Sequence, residues 1–348
     1  MEHNMAGEEL NGTMTMLANS TETPKYECTD LKNFKWLSTF LSPYLWFIFT
    51  LGFIENLFVI SVFVLHKSRC TVTEIYLGNM AAADLIFVIG HPFWATYISN
   101  NYNWTFGGFM CSAISSLFLL NLYSSIYFLM MVSIERYLAL VKPMTIGRLR
   151  KPWWAKVTCG IIWVFAALLC VPDGMFHEVE ITGIDNTTMC VYNYPVTWDI
   201  ASNIITNVLG FLVPLVVTSF CTCQMICVLR RNTMQKFKKV NKERKASCLV
   251  LSIFLVFTVC WIPFNVFTLI DTLYEFNIFG SCMVTSVNNI VYSISFYLVY
   301  SNSCINPVLY CMVGNNFRQK AREVYCRILC KEPDRWRSSL PTDESSQH

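Results

Sequence analysis

Apolar residues in this chain gather in long unbroken runs rather than in short alternating stretches. Such runs fall at about 39–66, 73–98, 108–140, 153–173, 201–229, 246–273 and 284–312. A helix needs roughly 20 consecutive apolar residues to cross the hydrocarbon core of a bilayer. Every run meets that length, so the pattern predicts seven membrane-spanning helices joined by polar loops. The stretch before them, 1–38, is polar and holds no apolar run that could act as a signal peptide. The stretch after them opens with NNFRQKAREVYCRILC, which predicts a short amphipathic eighth helix on the membrane surface. The expected architecture is an all-α membrane protein. It comprises an N-terminal tail (1–38), a seven-transmembrane helix bundle (39–313), and an amphipathic helix with a tail (314–348).

Composition agrees with the pattern. Of 348 residues, 54% are hydrophobic and 14% charged. Soluble chains carry about a quarter charged residues, and one this apolar would expose too much apolar surface to water. The position of the basic residues then predicts orientation. Lys67, Arg69, Lys142, Arg148, Arg150 and Lys151 lie in one set of loops, with a dense run at 230–245 and Arg318, Lys320 and Arg322 after the last span. The opposite loops, 97–110, 174–200 and 274–283, contain no Lys or Arg. Positive charge is retained on the cytoplasmic side, which puts the N-terminus outside and the C-terminus inside a plasma membrane. Lys25, Lys32 and Lys35 precede the first span and nearly balance the charges after it. The glycosylation sequons at Asn11, Asn19, Asn103 and Asn186 all fall on the side assigned outside.

Sixteen cysteines divide by compartment. Cys28, Cys111, Cys190 and Cys282 fall in outer segments, where disulfides persist, and allow three pairings. Cys326 and Cys330 follow the amphipathic segment and are candidates for S-palmitoylation. The others read as small apolar packing residues. Ser338, Ser339, Thr342, Ser345 and Ser346 stand near Asp343 and Glu344 in the tail and are candidate phosphorylation sites for a receptor kinase and arrestin.

Polar groups inside spans are costly and are functional candidates for that reason. Asp84 lies at mid-depth of the second span. Asn121 and Ser125 share a face of the third, Asn302 and Asn306 flank Ser303 in the seventh, and Asn56 sits in the first. One carboxylate with several amide and hydroxyl oxygens can hold a small hard cation; an interhelical hydrogen-bond network is the plainer reading. Prolines interrupt five spans, at Pro92, Pro172, Pro214, Pro263 and Pro307, and act as kinks. Glu135, Arg136 and Tyr137 end the third span, where snorkelling lowers the cost of the charged pair.

The outer loops and adjacent helix ends hold Asp173, Glu178, Glu180, Asp185, Asp199, Asp271 and Glu275. Trp94, Trp104, Phe106, Trp198, Phe264, Phe267 and Tyr274 surround them. An acidic, aromatic mouth attracts a cationic ligand and offers cation–π contacts. A basic peptide suits it. No nucleic-acid partner is expected.

Seven spans, the ERY at 135–137, CWIPF at 260–264 and NPVLY at 306–310 resemble a rhodopsin-class G-protein-coupled receptor, and Asp84 and Trp163 add to the likeness. TVTEIYLGNMAAADLI (71–86), NLYSSIYFLMMVSIERYLALVKPM (121–144), NTMQKFKKVNKERKA (232–246) and YSNSCINPVLY (300–310) look like kinin (bradykinin) receptors, nearer the type-2 subtype. The type-1 subtype has a Lys where this chain has Leu119.

The resemblance implies disulfides Cys111–Cys190 and Cys28–Cys282. It implies a kinin-type peptide bound near Trp94, Ser115, Leu119, Asp199, Phe264, Phe267, Thr268, Asp271, Glu275, Asn289 and Tyr300. Asp271 would receive the peptide's N-terminal Arg; a second family Asp is replaced here by Asn289. An allosteric sodium ion would sit among Asp84, Asn121, Ser125, Asn302, Ser303 and Asn306, with no other cofactor. The switch would comprise Glu135, Arg136, Tyr137, Glu243, Phe257, Trp261, Pro263, Asn306, Pro307 and Tyr310, with Arg136 tied to Glu243 at rest. The partner would be a heterotrimeric G protein, mainly of the Gq class, and the basic loops would meet membrane lipids. A common Tyr of the fifth span is Thr222 here, as in mammalian type-2 receptors, so the active state would lean more on Tyr310.

Other readings fit less well. A retinal opsin needs a Lys where Tyr300 stands. An aminergic receptor needs an Asp in place of Phe118, and an angiotensin-type receptor a Lys in place of Thr206. A transporter would show an internal repeat. An enzyme would bring a nucleophile, a base and an orienting group to helical spacing, and His91 and His177 stand isolated.

Overall fold

A computed structural model describes residues 35–141, 151–182, 187–231, 238–276 and 282–330. The elements run α1 (Lys35–Leu65), α2 (Val72–Ile89), α3 (His91–Ser99), α4 (Gly107–Val141) and α5 (Pro152–Phe176), then strands β1 (His177–Thr182) and β2 (Thr187–Tyr192). They continue as α6 (Val196–Ile205), a π-helical turn (Thr206–Leu212), α7 (Val213–Arg231), α8 (Lys238–Glu275), α9 (Cys282–Val313) and α10 (Asn315–Cys330). Among the described residues, six helical stretches are long and apolar enough to cross a membrane. In these, α2 with α3 forms the second span, and α6, the π turn and α7 form the fifth. The seventh span, α9, has 32 residues, ample for a crossing, and turns Asn302, Ser303 and Asn306 into the bundle. The expected seven-helix bundle with its eighth helix is what the chain forms.

The third span, α4, packs against α2, α5, α7 and α8 and so occupies the centre. Val59, Leu77, Met80, Ile126, Phe128, Leu129, Ile253 and Phe257 belong to its continuous core. The outside of the bundle is apolar as well: Phe40, Phe47, Ile54, Ile161, Leu168 and Val216 are exposed. Water would not tolerate such an exterior, whereas lipid does.

Local sequence sets the breaks. Thr71 and Glu74 form a reciprocal capping box that starts α2. The second span breaks at Gly90, and Pro92 opens α3, where its missing N–H costs nothing. In the fifth span Pro214 cannot donate to the helix, and just before it the Val213 N–H reaches back five residues to the Val208 carbonyl. Pro172, Pro263 and Pro307 lie inside continuous helices.

Two features frame the ends of the bundle. At one end β1 and β2 pair antiparallel, with Val179 opposite Cys190, and Cys190 is disulfide-bonded to Cys111 at the start of α4. This hairpin is an addition to the all-α expectation; the alternation in HEVEIT and the β-branched residues of TTMCVY were its signal. At the other end Gly314 allows the sharp turn into α10. A Cβ there would stand 2.5 Å from the Tyr310 carbonyl oxygen. Phe317 then packs against Phe58 and Phe63, Lys320 reaches Glu74 at 2.9 Å, and Glu323 meets His66 at 2.7 Å.

Candidate functional site

At the disulfide end the carboxylates fall into two groups. Asp199 is buried and accepts a hydrogen bond from the Tyr192 hydroxyl. Removal of that hydroxyl from water, and then the Asp199 charge beside it, hold the Tyr192 phenol far above its usual range, so it stays a donor. Asp173 lies 3.7 Å from His177, and Glu178 accepts from Asn193 at 2.6 Å. Asp271 is half-buried on the inner wall of α8 and receives a long hydrogen bond, 3.4 Å, from Asn203 of the fifth span. One turn deeper, Asn207 of the π turn donates to Thr268 at 2.8 Å. The fifth span thus points two asparagines at α8, Asn203 from α6 and Asn207 from the π turn. Ser115 lies beside the disulfide, its Oγ 3.9 Å from Cys190 Sγ, and Leu119 packs on the core two helical turns from the disulfide's Cys111.

The mouth aromatics need one correction. Trp104 is only 1% exposed, enclosed by Trp94, Tyr97 and Phe106, and its indole N–H goes to the Gly107 carbonyl. It is a wedge under the hairpin with no face left for a cation. Phe267 packs against Tyr292, ring centres 4.5 Å apart and tilted by 47°. Below, Phe118 is the hub of an aromatic floor, within 5.1–6.2 Å of Phe264, Trp261, Phe296 and Phe87. Tyr300 touches Phe87, His91 and Phe296. Trp261 stacks on Phe257 at 5.5 Å and 24°. Sequence reading missed Phe87, His91, Phe118, Tyr292 and Phe296 as parts of this floor, because an aromatic in an apolar run carries no local signal.

Beneath the floor Asp84 is fully buried. It accepts from Asn121 at 2.8 Å, Asn306 at 3.0 Å and Ser125 at 3.4 Å. Around it Asn302 Oδ1, Ser303 Oγ and Asn306 Oδ1 are buried oxygens with no hydrogen-bond partner. Buried polar atoms are rarely left unmade. Orphaned oxygens beside a carboxylate suit a small hard cation with its water.

At the ERY end Arg136 donates to Glu135 at 2.5 Å and to Thr73 at 2.8 Å, while Thr73 donates to Glu135 at 2.8 Å. The charged pair is therefore closed by a hydroxyl from α2, which sequence reading had not singled out. Tyr137 meets Phe220, and Tyr310 is buried with its hydroxyl unpartnered. Pro263 and Pro307 lie on α8 and α9 between the two ends. The side chains of Glu243, Glu275, Cys282, Asn289 and Cys330 lie outside the described residues, as do Asn11, Asn19, Cys28, Asn186 and the tail positions Ser338, Ser339, Thr342, Ser345 and Ser346. Cys326 is exposed on α10, and Asn103 accepts through its amide oxygen from the Thr188 N–H.

The chain matches the model of the family "7 transmembrane receptor (rhodopsin family)" over residues 55–310. It is 45% identical to the B2 bradykinin receptor of Homo sapiens over 350 aligned positions, covering 98% of this chain and 87% of that protein. With the B2 bradykinin receptor of Cavia porcellus it shares 46% identity, covering 94% of this chain and 90% of that one. The B1 bradykinin receptor of Tupaia minor is 36% identical, over 81% of each chain.

Proposed function

The chain belongs to the rhodopsin family of seven-transmembrane receptors, and within it to the bradykinin receptors; from that premise we propose that it captures a basic kinin-type peptide outside the cell and activates a Gq-class G protein inside. The membership itself makes it a multi-pass signalling receptor and not an enzyme. One observation carries the ligand reading. The likeness to B2 receptors runs along 98% of the chain, mouth included. The acidic mouth supports it, since Asp271 is a half-buried carboxylate on the inner wall of α8 that accepts a long hydrogen bond from the neutral Asn203 amide and is of the charge that a cationic group pairs with.

In this reading the disulfide end faces outward and the ERY end faces the cytosol. The peptide's cationic end pairs with Asp271, and its apolar part rests on the aromatic floor. Pressure on Phe264 and Phe118 shifts the Trp261–Phe257 stack below them. The population moves toward an arrangement in which α8 swings away at the cytosolic end. Arg136 leaves Glu135 and Thr73 for the G protein, with Tyr310 beside it. Sodium at Asp84 favours the resting arrangement, and receptor kinase, arrestin and membrane lipids act at the inner face.

Calcium release in transfected cells, with bradykinin and its form lacking the C-terminal Arg as probes, tests this. A response to the intact peptide alone is expected. Asp271→Ala should raise the concentration needed by about tenfold or more, and Asn289→Ala much less. Silence to both peptides, or equal losses in the two variants, would overturn the assignment.

A further inference from the structure

Toward the ERY end an open groove of about 230 Å³ runs between the fifth and sixth spans. Its walls are mostly apolar, with Met225, Ile226 and Leu229 on α7 and Leu251 on α8, and the buried Thr222 and Ser247 line it as well. Cys248 opens onto it from α8 as an exposed thiol, and Arg230 closes its outer end. The groove lies on a lipid-facing part of the bundle, next to the exposed Phe220 and Leu255. In sequence Arg231 follows Arg230, and Lys242, Arg244 and Lys245 precede Ser247 and Cys248.

We propose that this groove is a binding site for an anionic phospholipid, with one acyl chain between the two spans and the phosphate on Arg230. The walls decide the tail: only a chain already in the bilayer reaches an apolar slot that opens sideways into lipid. The cations decide the head. A guanidinium binds a phosphate through paired hydrogen bonds, and a sequence rich in basic residues on both sides of the groove draws a net-negative lipid to this end of the bundle. A zwitterionic lipid would bring its own ammonium up to the same cations. The site sits on the seam between the spans whose relative motion carries the proposed signal, so occupancy and arrangement are linked. Placing it in the inner leaflet rests on the orientation proposed above; the groove's chemistry does not.

The test uses the purified full chain in detergent, without agonist, so its outcome is separate from that of the calcium assay. N-ethylmaleimide labelling of Cys248 is followed peptide by peptide, with Cys223, exposed on α7 and outside the groove lining, as internal reference. Dioctanoyl phosphatidylserine should slow Cys248 several-fold and leave Cys223 unchanged, while dioctanoyl phosphatidylcholine should do neither. Arg230→Gln should require about tenfold more phosphatidylserine for the same protection. Leu251→Trp, which fills the groove, should protect Cys248 without lipid, and Leu229→Phe serves if that variant does not fold. Equal protection by both lipids, matching protection of Cys223, or an unchanged requirement in Arg230→Gln would overturn the proposal.

Discussion

At the scale of single residues, the chain places its costliest groups where other groups answer them. Asp84 collects three hydrogen bonds from the third and seventh spans and is ringed by orphaned oxygens. If a sodium ion completes that shell, agonist affinity should fall in sodium buffer relative to choline buffer, and Asp84→Asn should abolish the difference. Bradykinin binding in the two buffers measures it; identical affinities in the unmodified receptor would remove the ion from the account. Asp84, Asn121, Ser125 and Asn306 were legible in the sequence because a polar residue stands out in an apolar run. Thr73 was not, because a threonine near a helix start reads as a surface residue until folding brings it to Arg136.

At the scale of elements, spans were legible to within a few residues, since lipid demands length and apolarity together. Their internal irregularities were only half legible. Pro92 and Pro214 announced interruptions, yet a helix break at Gly90 and a π turn at Thr206–Leu212 depend on which carbonyls the neighbours can satisfy. The eighth helix shows how elements are fastened. Lys320 and Glu74 meet at 2.9 Å, with side chains only 13% and 9% exposed, and Glu74 also caps α2. Removing one partner leaves the other charge poorly solvated, a cost of about 2 kcal/mol. Lys320→Met should therefore lower the melting temperature by several degrees. Adding Glu74→Gln to it should cost less than the two separate losses combined, as read from a double-mutant thermal cycle.

At the scale of the whole molecule, a single covalent tie closes the described outer face. Cys111 and Cys190 stand 79 residues apart in sequence, and joining them pins the hairpin over the top of the third span. In the loop-entropy view such a closure stabilises by about 4–5 kcal/mol. Cys190→Ser should lower the melting temperature and weaken bradykinin binding together, whereas Cys326→Ser should leave both unchanged; thermal melts and saturation binding on matched samples report it. The cysteine pair itself was suggested by the family likeness, since four outer cysteines alone leave three pairings. The hairpin between them went unread because two six-residue strands are a weak signal beside seven spans. The mouth was read in charge but not in detail. Which carboxylates face a ligand depends on Tyr192, Asn193 and His177, brought in by the hairpin.

The π turn of the fifth span has a consequence for phase. Its wider winding, with the Val213 N–H on the Val208 carbonyl, carries one residue more than an α-helix of equal rise. Everything after it is rotated by about 100° from where uninterrupted winding would leave it. Thr218 and Thr222 look into the bundle only in that rotated setting. Deleting one residue within Thr206–Leu212 would remove the surplus and let an ordinary helix run through with both threonines still facing inward, whereas winding the intact sequence as an unbroken α-helix would carry Thr222 to the exposed position that Cys223 now holds. The cytosolic half of the span is indexed to its outer half by that one surplus residue.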